Sequence, residues 1–451
     1  MPTTECIAQT TFKFQGQARR IEVEADAPTV SSDGGALALR RIDEALGLTK
    51  ALAAAVGDKR NPLLVVHSRA EQLRQRIYQI ALGYEDCNDA DVMRHDPLLQ
   101  VVCTDSGGPY ALSSQPTLSR LENAVGGERV RRLWQVLEDQ YVQALAPDAP
   151  LVVLDIDSTD DPTHGEQQLA FFHGFYDQHM FHPLLVFDGE SGQLVSAILR
   201  PGRAHAAWSA EGLLRRLIRA IRARCPHADI VVRGDSAFAM PWLLDALDAL
   251  HADLGAIFYV LGLATNPRLR ALAAPTMARA AAEHVASDAH VRRFAWLDYA
   301  AKTWTQPRKV VLKAEHGARG ENPRFVVTNV DWVDGRSVYD GAYCPRGQAE
   351  NFIKDFKNAL RADRLSCHRF VANAFRLLLH AAAYRLMHAL RAKVAVVDPK
   401  LGRAQMDTLR LRLLKVAAIV TVSVRRVLVR LPRAFPLVSI LLSLLDPPPT
   451  D

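Results

Sequence analysis

Four acidic residues stand where an oxygen-ligated metal could be held. Asp155 and Asp157 close the apolar run LVVLDID, and at a strand's period of two both side chains leave the same face. Asp235 closes a second such run, DIVVRGD. Carboxylates at the carboxyl ends of strands lie where the functional crevice of an open α/β sheet forms. Either strand-end acid alone also suits a turn or a helix cap. Two of them in one sheet are more telling, because strands about 4.8 Å apart can bring their ends to one ion. Hard divalent cations take oxygen ligands and no His or Cys cluster competes, so the donor set points to Mg²⁺ or Mn²⁺ rather than zinc. The third element is YCPRGQAENFIKDFK, where Pro345 suits a helix start and Arg346, Glu350, Lys354 and Lys357 follow at offsets of four, four and three along one stripe. That stripe shows an acid among bases; Glu350 with Lys354 is equally an ordinary surface i,i+4 pair.

These residues need elements to position them. Residues 1–145 read as a mainly helical DNA-binding region, with apolar spacings of three and four in ALALRRIDEALGLTKALAAAV and AEQLRQRIYQIALGY and with Ser114 as a helix cap. Gly57, Asn61-Pro62 and Gly107-Gly108-Pro109 punctuate it. A linker ends near Pro150, and the texture then changes to the strands LVVLDID, HPLLVFD and QLVSAILR. A helix over 207–223, strand DIVVRGD, a helix over 240–251 and strand AIFYVLG follow. Three strands and then an alternation predict an α/β fold with a mixed central sheet, whose first part spans 150–262. Residues 263–330 predict a β-rich insertion, 331–395 complete the core with the helix from Arg346, and 396–451 form a basic and apolar C-terminal region with a helix over 406–419.

The formal charge of +6 is concentrated between Pro345 and Phe435, where Arg and Lys face only Glu350, Asp355, Asp363, Asp398 and Asp407. A polyanion is the natural partner, a solvated helical face the plainer reading. Six scattered cysteines form no CxxC pair, which argues against a zinc site or a disulfide framework. The opening MPTTECIAQTTFKFQGQARR has no apolar core or small-residue cleavage site, so no secretory signal is expected there, and Arg425, Arg426, Arg430 and Arg433 interrupt the apolar tract from Val416 to Leu445 too often for a bilayer span. No membrane association is expected, and a cytoplasmic, DNA-associated place in the bacterial nucleoid is.

Tyr343, Arg346, Glu350 and Lys357 have two, three and six residues between them. With LDIDSTDDPTHGEQ, FFHGFYDQH, RPGRAHA, RGDSAF, NPRFVVTN, YCPRGQAEN and ADRLSCHRFVANAFRLLLHAAAYRL, that spacing resembles insertion-sequence DDE transposases with a Tyr-Arg-Glu-Lys signature, the family often called insertion-sequence thirteen-eighty. The resemblance implies a ribonuclease-H-like catalytic core. In it, Asp157, Asp235 and Glu350 are the catalytic, metal-holding acids, with Asp155 a neighbour or alternate ligand. It further implies that Tyr343, Arg346 and Lys357 grip terminal DNA phosphates, with Lys354 on the same stripe. Trp304 is the candidate for stacking an extruded base, and His164 and Gln167 candidates for positioning the scissile strand. Two Mg²⁺ or Mn²⁺ ions would support cleavage and strand transfer, with double-stranded inverted-repeat and target DNA as partners and a homodimer holding the two ends. A ribonuclease-H-like nuclease or resolvase, or a non-catalytic DNA-binding descendant of a transposase, are the alternatives, with a glycosidase using paired carboxylates a distant third that the Arg and Lys stripe beside Glu350 disfavours.

Overall fold

The computed structural model describes residues 9–26, 28–108 and 110–446; Cys6 and Pro109 lie outside them. The chain opens with an antiparallel pair, β1 (Gln9–Phe12) and β2 (Ile21–Glu24), and a short β3 (Val30–Ser31). Seven helices follow: α1 (Ala36–Leu46), α2 (Leu48–Val56), α3 (Arg69–Leu82), α4 (Ala90–Met93), α5 (Pro97–Cys103), α6 (Gln115–Ala124) and α7 (Gly127–Ala144). Their ends obey local chemistry. Gly47, at φ +60°, ends α1 in the left-handed region that glycine tolerates, and Ser68 with Glu71 forms a reciprocal capping box on α3. Ser114 does precede α6, but its hydroxyl meets Thr117 rather than a backbone amide.

After Pro150 come β4 (Leu151–Ser158), β5 (Asp161–Pro162), β6 (Phe171–His173), β7 (Gln178–Phe181), β8 (Leu184–Asp188) and β9 (Leu194–Ile198). Then follow α8 (Ala210–Arg224), β10 (Asp229–Gly234), α9 (Pro241–Leu254), β11 (Ile257–Leu263), α10 (Pro267–Ser287), β12 (Val291–Tyr299), β13 (Arg308–Gly317), β14 (Gly320–Glu321) and β15 (Arg324–Thr328). The central sheet runs β12-β13-β15-β11-β10-β4-β8-β9, with β14 beside β13. Strands β4, β10 and β11 are parallel, and the flanking pairs are antiparallel. The parallel trio reads as nearly continuous apolar sequence because helices cover both of its faces. Val152, Leu154 and Ile156 lie in one apolar cluster with residues of α8 and α9. Residues of the opposite face, such as Leu185 and Phe187 on β8, join the cluster built by the N-terminal helices and α12 (Phe370–Val397).

Three expectations need correction. Residues 263–330 are not a separate β-rich module: β15 pairs directly with β11, so β12, β13 and β15 extend the central sheet, and the long α10 covers it. The helix expected from Arg346 starts earlier, as a π-helical turn Ser337–Tyr343, a 3₁₀ turn Cys344–Gly347, α11 (Gln348–Lys354) and a second π turn Asp355–Ala359. The C-terminal helix ends at Leu414, after α13 (Met406–Leu409) and a π turn Arg410–Leu414. Ala418–Val422, rich in β-branched residues, is strand β16; it pairs with β17 (Val427–Arg430) and with β3 before α14 (Val438–Ser443). Leu413, Ala418 and Leu441 thus share one core with α1 and α3, so these C-terminal elements and the N-terminal helices form one body.

Candidate active site

Strands β4 and β10 are neighbours in parallel register, with Arg233 opposite Asp155. Two residues on, Asp235 comes level with Asp157 at the carboxyl ends of both strands. The Asp157 Oδ1 accepts the Ser158 amide at 2.8 Å, and its Oδ2 accepts from the Arg346 guanidinium at 2.6 Å. Burial, together with the negative charges of Asp235 and Glu350, pushes the Asp157 carboxyl up to about 6 against the pull of Arg346. Asp235 accepts the Ala237 amide at 3.0 Å and so caps the turn Ser236–Phe238. Glu350 is exposed in the first turn of α11. Asp157 and Asp235 therefore lie level at one sheet end, with Glu350 near enough for its charge to act on Asp157. Among the described residues, no three Asp, Glu, His or Cys side chains stand as an ion-holding group; Asp157 faces Arg346 and Asp235 a backbone amide.

The remaining signature residues surround this end. Lys357 donates to the Asp160 carbonyl and to its Oδ1, both at 2.8 Å. Burial would raise the Asp160 carboxyl, but Lys357 and Gln178 hold it below the usual range. The Tyr343 hydroxyl overhangs Gly262, where an added Cβ would lie 2.6 Å away, and the Asp235 charge reaches it. Lys354 is exposed.

Over residues 13–447 the sequence matches the family described as Transposase DDE domain group 1. The chain belongs to that family. It is a DNA transposase, an enzyme of a class whose domains generally use divalent metals. Among solved structures, it is similar to a piggyBac transposase in a synaptic complex with hairpin DNA, with 12% identity over 85% of this chain and 80% of that one, at a TM-score of 0.44. No curated protein sequence matches the chain. No helix among the described residues is long and apolar enough to cross a membrane.

Asp155 does not serve this transposase as an open ligand. It is fully buried, and both its oxygens are taken by Arg233, at 2.6 and 2.8 Å. Arg233 also donates to the Ala342 carbonyl at 3.1 Å, which ties the sheet to the signature segment. Gly189 makes room for the pair, because a Cβ there would collide with both side chains. Trp304 is at the wrong end of the sheet. The alternation of strand directions from β11 through β15 and β13 to β12 places the turn between Tyr299 and Arg308 at the amino ends of β4, β10 and β11. There Trp304 packs edge-on to Tyr299 at 5.2 Å, under the Arg308 guanidinium. Gln167 donates to the carbonyls of Leu365 and Cys367, at 2.6 and 3.0 Å, and so braces the loop after the signature. His164 is exposed beside that loop, in a cavity shared with Asp363 and Arg376.

Sequence reasoning overlooked the β6–β7 hairpin, which follows β4 at the acidic end. Its turn is tight: the amides of Tyr176 and Asp177 both donate to the His173 carbonyl, and Asp177 adopts φ +52°. Phe175, at 84% exposure, stands at the tip, edge-on to Tyr176 at 5.0 Å. Tyr176 packs on His173 and His182. Burial and the charges of Asp160, Asp157 and Asp235 raise the Tyr176 hydroxyl, which puts Tyr176 within electrostatic reach of the acids. The signal was available in FFHGFYDQH, a run of aromatics astride a glycine. All five described cysteines, Cys87, Cys103, Cys225, Cys344 and Cys367, are unbridged.

Proposed function

We propose that this transposase cleaves the inverted-repeat ends of an insertion sequence of the thirteen-eighty type and joins them to target DNA, using a ribonuclease-H-like core. The observation that carries the reading is the convergence of Asp157 and Asp235 on adjacent parallel strand ends with Glu350 in electrostatic reach. The donor set fits divalent metal: every candidate ligand is a carboxylate, and their mutual repulsion, felt at Asp157, is what a cation relieves. Asp157, Asp235 and Glu350 would hold two Mg²⁺ or Mn²⁺ ions, which when bound supply Lewis acidity and charge neutralisation at a phosphodiester.

The other residues act by binding and orientation. Arg346 now offsets Asp157, and its fork suits a phosphate once the carboxylate has another partner. Lys357 fixes the loop after β4 through Asp160, and exposed Lys354 meets the DNA backbone. Phe175, rather than Trp304, contacts a base beside the scissile bond. The Asp155–Arg233 pair positions the signature segment. A homodimer would hold the two ends together. The direct test is strand transfer: purified protein, Mg²⁺ and a labelled inverted-repeat end should yield joined products in a target plasmid. Nicked products without joining would make the protein a nuclease instead.

A further inference from the structure

The β16–β17 hairpin is a projection on a firm base. Ala418 and Val420 are buried against the N-terminal body, and β16 pairs with both β17 and β3. Gly34 and Gly35 allow the close approach: a Cβ on Gly35 would collide with the Leu414 backbone. Beyond this base the chain leaves the protein, and residues 421–427 are all exposed. Ser423 closes the turn, its amide and its hydroxyl both donating to the Arg426 carbonyl at 2.9 Å. Val424 at the tip is 105% exposed, with Arg425 and Arg426 following it. Arg430, exposed on β17, meets the Thr421 hydroxyl at 3.5 Å. Among the described residues, no carboxylate pairs with Arg425, Arg426 or Arg430. Across a cleft of about 500 Å³ stand the Ser106–Gly108 turn and Tyr110, itself 68% exposed.

We propose that this hairpin and the facing turn grip the sugar-phosphate backbone of duplex DNA, as a binding element separate from the catalytic acids. Unpaired arginines on a solvated tip held by a packed base match a polyanion, and guanidinium forks suit phosphate oxygens. An apolar residue left bare beside them suits the deoxyribose face, and a second wall carrying a hydroxyl and an aromatic ring suits a strand lying in the cleft. The proposal rests on the DNA-acting reading above only for its choice of ligand.

The test uses the full chain. Binding of a short labelled duplex, one of the element's end and one of unrelated sequence, is measured against salt for the parent and for the Arg425→Ala/Arg426→Ala variant. Both side chains are solvated, and an unchanged thermal melt confirms the fold. Losing two phosphate contacts should flatten the log–log salt slope by about 1.8, so the parent's advantage shrinks about tenfold between roughly 50 and 200 mM salt. The loss should be similar for both duplexes, while nicking at saturating DNA is kept. An unchanged slope overturns the proposal. So does unchanged binding with an altered oligomeric state, which would make the hairpin a contact between copies of the chain. A flattened slope in a protein that never nicks DNA would support the hairpin while sinking the catalytic reading; nicking with an unchanged slope would do the reverse.

Discussion

Replacing Arg233 with Ala should destabilise the fold by about 3–5 kcal/mol at neutral pH, the usual cost of stranding one member of a buried ion pair. The residues justify the upper class of effect: the Arg233 and Asp155 side chains are 4% and 0% exposed, and both carboxylate oxygens depend on the guanidinium. Burial already pushes the Asp155 carboxyl above its ordinary range, with Arg233 the main opposing charge. Without Arg233 it should rise further, and the folded state then binds a proton more tightly than the unfolded one. Stability of the variant therefore falls as pH rises from the unfolded value near 3.8 through the folded one, and recovers on acidification. Urea unfolding of parent and variant at several pH values measures both effects. A double replacement, Asp155→Leu with Arg233→Met, should regain much of the loss, because paired removal leaves no orphaned charge. Yet it should remain poor in cleavage, because the bond from Arg233 to the Ala342 carbonyl is gone. A cost under about 1 kcal/mol for Arg233→Ala, equal at all pH values, would refute this reasoning.

Phe175→Ala should reduce nicking of an end duplex without altering the melting temperature, and Phe175→Trp should restore it; equal activity of all three would remove Phe175 from the DNA interface. Trp304→Ala should lower stability by about 3 kcal/mol through lost packing, yet leave the rate of cleavage per folded molecule intact, as urea titration and nicking assays would report. Asp161 is buried with neither oxygen bonded, and burial together with Asp363 holds its carboxyl well above the usual range. Its penalty is absent at low pH and grows as pH rises, so Asp161→Asn should melt higher than the parent at pH 8 and similarly at pH 4; a lower melt at pH 8 would contradict it.

Much of the central sheet could be read directly because its parallel strands are buried on both faces and appear as apolar runs, two of them ending in acids. Strand direction beyond β11 could not be read, so the sequence did not show that Trp304, suited by residue type to stacking on a base, lies at the far end of the sheet. Asp155 looked as available as Asp157 because alternation places both on one face; only the register of β10 shows that Arg233 occupies it. Pro345 suggested a helix start, but a helical segment with changing hydrogen-bond spacing already precedes it and accommodates the missing amide. The β16–β17 hairpin was hidden in a tract whose apolar residues fit helix or strand equally until β3 supplies a partner.

The central claim is that Asp157, Asp235 and Glu350 act together in phosphodiester cleavage. Each is replaced singly by Ala, the melting transition and DNA affinity of each variant are confirmed, and nicking of a labelled inverted-repeat end in Mg²⁺ is then followed beside Asp155→Asn. The account predicts that all three Ala variants bind the end and fail to nick it, because ligands to metal act on the transition state while the bases supply ground-state affinity. Robust nicking by Asp235→Ala or Glu350→Ala would contradict it.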